Sequence, residues 1–249
     1  MMTIANAWTM LPAILLAGGL IGASGIGGVL LVPVLTKLGA VPLPQAIAAA
    51  SLGFALPALV ALEPLRRQRA LAARCIPLLL GALAGAAAGA LMVHWLPAST
   101  LMLGVTLLVL FAGGRGLSGS TAAATASAEP PGKNALLALG ALVGLVSALT
   151  GTGGPVLLIP LLMLLRQPIS FTVVAAQAIQ LPVALASSAV HAFEGRLDLR
   201  LAVICGTLML IGSIAGQRAA SGLDLRQLQR IVSLLLLAVG AWFSWLLLA

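Results

Sequence analysis

Apolar residues in this chain of 249 residues fall into long runs, not into the alternating or three-and-four spacing of half-buried soluble elements. Eight runs stand out, at about 8–37, 42–62, 74–95, 99–114, 135–165, 169–191, 199–219 and 228–248. Six have roughly the 20-residue length with which a helix crosses a bilayer. The first and fifth are longer, about 30 residues each. The pattern predicts an all-α polytopic membrane protein. Only Ser118 to Asn134 reads as a flexible linker, rich in Ser, Thr, Ala, Gly and Pro. It separates a first membrane repeat, 1–117, from a second, 135–249.

The two halves resemble each other. Ser24-Gly25-Ile26-Gly27-Gly28-Val29-Leu30-Leu31-Val32-Pro33 corresponds to Thr150-Gly151-Thr152-Gly153-Gly154-Pro155-Val156-Leu157-Leu158-Ile159-Pro160, at an offset of 126 at the first glycine and 127 at the final proline. Gly85 and Gly89 match Gly212 and Gly216, again at 127. A weak internal repeat of this kind is a signature of secondary transporters. The long first and fifth runs are each interrupted near the middle by Gly-x-Gly-Gly. Glycine weakens a helix, and four glycines across Gly22 to Gly28 predict a break. Packing stripes space their glycines by four, as Gly85 and Gly89 do; here they are adjacent or alternate.

Composition narrows the class. With 61% hydrophobic and 7% charged residues and a mean hydropathy of +1.17, the chain lacks the charge to cover a soluble globule. That excludes a soluble enzyme, a disordered chain and a disulfide scaffold. The net charge of +8 sits in short loops between apolar runs, where it sets orientation and does not imply nucleic acid. If all eight runs cross, the basic residues divide eight to five between the two sides. If the first and fifth return as re-entrant hairpins, they divide ten to three. The second division obeys the positive-inside rule and leaves three crossings per half, so the halves are inverted and both termini lie outside the cytoplasm. The N-terminus has no basic stretch and does not read as a cleaved signal peptide. Cys75 and Cys205 form no metal or redox spacing.

Candidate chemistry follows from the breaks. A half-helix that starts inside the membrane directs its N-terminal amides and positive dipole end at a cavity. Two such ends, after Gly27-Gly28 and after Gly153-Gly154, face each other near the midplane and suit a small oxyanion. Ser24, Gly25, Gly27, Gly28, Thr150, Gly151, Thr152, Gly153 and Gly154 are therefore the candidate substrate-binding residues, the hydroxyls serving as donors or as helix caps. Ser51, Gln177 and Gln180, buried polar residues in the second and sixth runs, are further substrate-binding candidates. The two glutamines share one helix face and either line the cavity or bond between helices. Pro57 and Pro182 read as kinks. His191, Glu194 and Asp198 cluster after the sixth run, and Glu63 ends the second. His191 with Glu194 is a candidate for proton coupling. His94 beside Trp95 reads as part of an interfacial belt. Gly22-Ala23-Ser24-Gly25 matches the GxSG string of intramembrane serine proteases. It recurs with Thr150 in the serine's place, so no catalytic residue is assigned. No cofactor and no metal site are expected.

At these residues the chain resembles the TauE/SafE family of sulfite and organosulfur anion exporters. Gly18 through Pro33 is similar to the family's first signature and Gly140 through Pro160 to its second copy. His191-Ala192-Phe193-Glu194-Gly195-Arg196-Leu197-Asp198 is similar to its short loop before the seventh segment. The first glycine run is one residue shorter than usual, and Pro155 stands in place of a glycine. The resemblance implies a multi-pass inner-membrane transporter that moves a small sulfur-containing anion, with export as the expected direction. A passive anion channel and an uptake protein for a related oxyanion are the alternatives. The partners implied are a small anionic substrate and the lipid bilayer, with a homodimer permitted and nucleic acid excluded.

Overall fold

The computed structural model describes residues 4–24, 27–61, 69–93, 95, 97–118, 131–165, 167, 169–220 and 225–248. Gly25, Glu63, Arg66, Arg67, His94, Arg166 and most of the 118–134 linker lie outside the described residues. Among the described residues every regular element is helical. The first half contains α1 (Ile4–Ser24) and a composite half-helix α2, built of a 3-10 turn (Gly27–Leu30), an α turn (Leu31–Pro33) and a π turn (Val34–Leu38). It continues with α3 (Leu43–Gly53), α4 (Ala55–Ala61), α5 (Arg69–Met92) and α6 (Ala98–Leu117). The second half contains α7 (Lys133–Thr150), α8 (Pro155–Leu164), α9 (Ile169–Phe193), α10 (Leu199–Ala220) and α11 (Leu225–Leu248).

Four helical stretches are long and apolar enough to cross a membrane among the described residues: Leu71–Met92, Lys133–Thr150, Val174–Phe193 and Leu199–Ala219. Large apolar side chains such as Leu16, Leu80, Leu142, Leu185 and Ile211 stand exposed on the outer faces. Hydrocarbon is the solvent that accepts such a surface. The chain is a multi-pass membrane protein.

Both long runs are split, as their glycines predict. Segment 1 divides into α1 and α2, and α2 turns back along α1. A Cβ on Gly27 would overlap the Ala17 carbonyl, and one on Gly39 would stand 2.8 Å from Met10 Cε. The end of the half-helix thus lies beside the start of α1, which is the geometry of a hairpin. In segment 5, α8 has ten residues, or about 15 Å of helix, half the hydrocarbon thickness. Two details differ from the sequence reading. Gly22 does not break the helix: it lies inside α1, where a Cβ would overlap the Ser213 carbonyl. Segment 2 is not one helix, because α3 and α4 meet at a turn on Phe54. Pro57 lacks the N–H that would bond the Gly53 carbonyl and crowds that group, so the backbone bends there. Pro182, by contrast, sits within an unbroken α9.

The helices pair across the two halves. α1 packs on α10, α5 on α7, α6 on α11, and α3 and α4 on α9. Between hydrocarbon-facing helices association relies on close backbone approach rather than on hydrophobic burial, and the glycines supply it. A Cβ on Gly85 would overlap the carbonyl of Ala141, and one on Gly212 that of Leu15. Gly89 meets Leu145 as Gly216 meets Gly19, and Gly144 meets Ala82 as Gly18 meets Met209. Each contact recurs with both partners shifted by 126 or 127 residues. The buried core forms two clusters, one around Met10, Leu31, Ile47, Phe54 and Met209, the other around Leu78, Val143, Leu158, Phe171 and Ile179. Each cluster draws on both halves.

Candidate functional site

The second break is made by left-handed backbone. α7 ends at Thr150, and Gly151, Gly153 and Gly154 have φ of +66°, +81° and +106°. Only glycine adopts such angles in succession without strain. The Gly151 and Thr152 N–H groups both donate to the Ser147 carbonyl, closing the end of α7. Pro155 then opens α8, its ring preset for the first helical turn. The Leu157 and Leu158 N–H groups donate to the Gly154 carbonyl at 3.2 and 3.1 Å. All of Gly151 to Val156 is buried.

The first break meets the second. A Cβ on Gly28 would lie 3.0 Å from the Thr152 carbonyl oxygen, and one on Gly151 would lie 2.6 Å from Val32 Cγ2 and 3.3 Å from Ile47 Cα. Between them stands Phe54, 2% exposed. Its Cε1 would be 2.9 Å from a Cβ on Gly28, and its Cδ2 3.2 Å from one on Gly153. The turn that splits segment 2 therefore delivers an aromatic ring to the junction of the two glycine breaks. Gly27 is buried too but turns toward α1. Gly25 and the side chain of Ser24 lie outside the described residues.

The hydroxyls at the breaks are already engaged. Thr150 Oγ1 donates to the Val146 carbonyl at 2.7 Å and lies 3.0 Å from Thr152 Oγ1. A hydroxyl has one proton, so Thr152 is the donor of that second bond. Neither proton points at a cavity in this state. Ser51 likewise donates to the Ile47 carbonyl at 2.9 Å and accepts from Ser187 at 2.9 Å, a bond that ties α3 to α9. Gln177 is half-buried and Gln180 buried, on one face of α9. Gln180 Nε2 is without a partner, as is the hydroxyl of Ser147, which would lie 3.7 Å from a Cβ on Gly154.

His191 is fully buried at the end of α9, and neither ring nitrogen has a partner. It lies within α9 and not in the loop that follows. Glu194 pairs with Arg196. Arg196 also donates from Nη2 to the Ala90 carbonyl at 3.0 Å, crossing to the end of α5. Asp198 caps α10, accepting the Leu201 N–H at 3.1 Å. Phe54, Ser147 and Ser188 were not among the residues the sequence singled out, and Arg196 stood there only within the loop from His191 to Asp198. Pro57, three residues on, was the available signal for Phe54, because it places a bend there. Arg196 read as a topological charge.

The arrangement is that of a helical membrane transporter, with paired broken helices meeting in the interior. The family model for the sulfite exporter TauE/SafE matches residues 10–243, nearly the whole chain. The chain belongs to this family. No curated protein and no solved structure matches it at a significant level.

Proposed function

We propose that this transporter exports a small sulfur-containing oxyanion, sulfite or an organosulfonate, across the inner membrane by alternating access. The observation that carries the reading is the meeting of the two breaks at Phe54, with Gly28 beside the Thr152 carbonyl and Gly153 beside the ring. A half-helix N-terminus offers amide donors and a positive dipole end without a basic side chain. At the second break, Pro155 carries no N–H and two amides are turned onto Gly154, so Gly153, Gly154 and Val156 are the donors toward an anion. The side chains of Gln180 and Ser147 add to them. The buried breaks support a gated carrier over an open channel: Phe54 withdraws to admit the anion and returns to occlude the empty site.

The halves act as inverted repeats, with 1–117 and 135–249 as the units and 118–134 as the connector. The reciprocal glycine contacts support a two-fold relation. The hairpin return of α2 along α1 and the ten-to-three division of basic residues support three crossings per half, with both termini periplasmic. His191 and Glu194 stand as the proton-coupling candidates. The test is transport in proteoliposomes against sulfite, sulfoacetate, sulfolactate and thiosulfate. Saturable movement of at least one of these, lost in Gly153→Leu, is expected. Absence of transport for all four, or a rate that rises linearly with concentration, overturns the reading.

A further inference from the structure

One face of α9 carries polar groups from the break to the membrane surface. Gln180, Ser187, Ser188 and His191 fall within an arc of about 100° on a helix of 3.6 residues per turn, and all four are buried. From Gln180 to His191 the helix rises about 16 Å, half the hydrocarbon thickness. Arg196 follows in the next loop. Ser187 is bonded to Ser51. The others are not satisfied: Gln180 Nε2, Ser188 Oγ, both nitrogens of His191, and Nε and Nη1 of Arg196 are buried without partners. Buried polar groups are almost always hydrogen-bonded, so such a row in one protein marks a place that something polar visits.

Its outer end has a definite chemistry. Arg196 is tied down through Nη2 alone, to the Ala90 carbonyl and to Glu194. Nε and Nη1 carry N–H donors and no acceptor capacity. Arg196 is held beside His191 by its backbone, its N–H donating to the His191 carbonyl at 2.9 Å. Ser188 is one turn before His191 on the same face. A guanidinium, an imidazole and a hydroxyl with open positions match a small oxyanion, which accepts at each of its oxygens. Glu194 is the competitor, since it already holds part of the guanidinium.

We infer that Arg196, His191 and Ser188 form a second oxyanion station at the membrane edge, joined to the break by the polar face of α9, which is the anion's path. The path rests on the reading above for its inner end. In the orientation proposed there, the station is periplasmic, where an exported anion leaves.

The experiment uses the full chain with Cys75→Ala and Cys205→Ala, in phosphatidylcholine nanodiscs that expose both faces. Ser188→Cys is labelled with two thiosulfonate reagents, one carrying an anionic sulfonatoethyl group, the other a cationic trimethylammonioethyl group. An exposed control, Ser118→Cys, gives the intrinsic ratio of the two rates. At position 188 the anionic reagent is expected to be favoured by at least about tenfold over that ratio, the scale of electrostatic focusing in a cleft. Arg196→Gln should return the ratio to the control value, Arg196→Lys should keep most of the excess, and Glu194→Gln should raise it. No labelling by either reagent shows a dry helix contact and overturns the proposal. Preference for the cationic reagent shows a cation path and overturns it as well. A ratio unmoved by Arg196→Gln and Glu194→Gln removes Arg196 from the station. The labelling needs no transported substrate, so its failure leaves the break-centred reading intact, and failed sulfite transport leaves the labelling result intact.

Discussion

Replacing Gly153 with alanine perturbs the junction of the two breaks by one methyl group. The backbone there has φ of +81°, a conformation that costs an L-residue about 1–2 kcal/mol. The new Cβ would stand 3.2 Å from Phe54 Cδ2, tighter than ordinary contact by a few tenths of an ångström. The ring has little room to yield, because its Cε1 and Cζ atoms face Gly28. The steric part adds about 1 kcal/mol, the low end of overpacking costs, for a total of about 2–3 kcal/mol. For a chain of this length that corresponds to a fall in Tm of roughly 5–10 °C. Cys75 and Cys205 are both free and buried, so a thiol-reactive fluorophore that lights up on unfolding reads the Tm without added probes. Phe54→Leu in the same chain should recover the steric part and leave the backbone part. Gly114→Ala is the control: nothing lies within 4 Å of the added Cβ, and the change should be neutral or slightly stabilising. Sulfite transport by Gly153→Ala should fall with the Tm and recover partly in the double variant. If Gly153→Ala melts and transports as wild type does, the left-handed backbone and the approach of Phe54 to the second break are both wrong.

Gly85→Ala and Gly212→Ala each push a methyl into a facing carbonyl at equivalent crossings, so both should lower the Tm, by amounts within about twofold of each other; a large loss in one alone would break the reciprocity. Ser51→Ala leaves Ser187 without its acceptor and should cost about 1 kcal/mol of stability, seen as a Tm drop with substrate affinity retained. A cysteine appended after Ala249 should react with an impermeant reagent in intact spheroplasts; protection there would place the C-terminus in the cytoplasm and sink the three-crossing arrangement. Lys37→Gln should leave sulfite affinity within about twofold, because Lys37 ends the α2 hairpin at the membrane edge; loss of binding would move the site away from the half-helix ends.

Much of this architecture was legible because it depends on residues that have few other uses. Runs of about 20 apolar residues specify helices in hydrocarbon, and adjacent glycines such as Gly153 and Gly154 specify a break. The repeat offset showed two similar halves. What was not legible involves partners rather than patterns. Gly18 and Gly22 are spaced by four and pack on Met209 and Ser213, yet beside Gly25 and Gly27 they read as one glycine-rich stretch. Spacing shows that a helix has a flat face and says nothing of which helix covers it. The split at Phe54 needed Pro57 to be weighed against the carbonyl of Gly53, four residues earlier, in a helix that otherwise looks continuous.

The asymmetry between the halves carries the last step. A Cβ on Gly28 would lie 2.9 Å from Phe54 Cε1, and one on the equivalent Gly154 would lie 2.9 Å from Ile179 Cγ2, so Phe54 corresponds to Ile179, at the offset of 125 that Pro57 and Pro182 share. One half thus offers the junction an aromatic ring where the other offers an aliphatic side chain, with the amide of Gln180 next to it in sequence. Two identical breaks would give a site with equal affinity from either face, and a two-fold scaffold alone has no preference for loading or release. An apolar plug from the turn between α3 and α4 disfavours a charged occupant, whereas the polar face of α9 donates hydrogen bonds to one. In the proposed cycle, motion that carries the junction away from Phe54 and toward α9 would strengthen anion binding, and the reverse motion would expel the anion. In that cycle the repeat would supply two equivalent ends, and Phe54 in one half against Ile179 and Gln180 in the other would distinguish them.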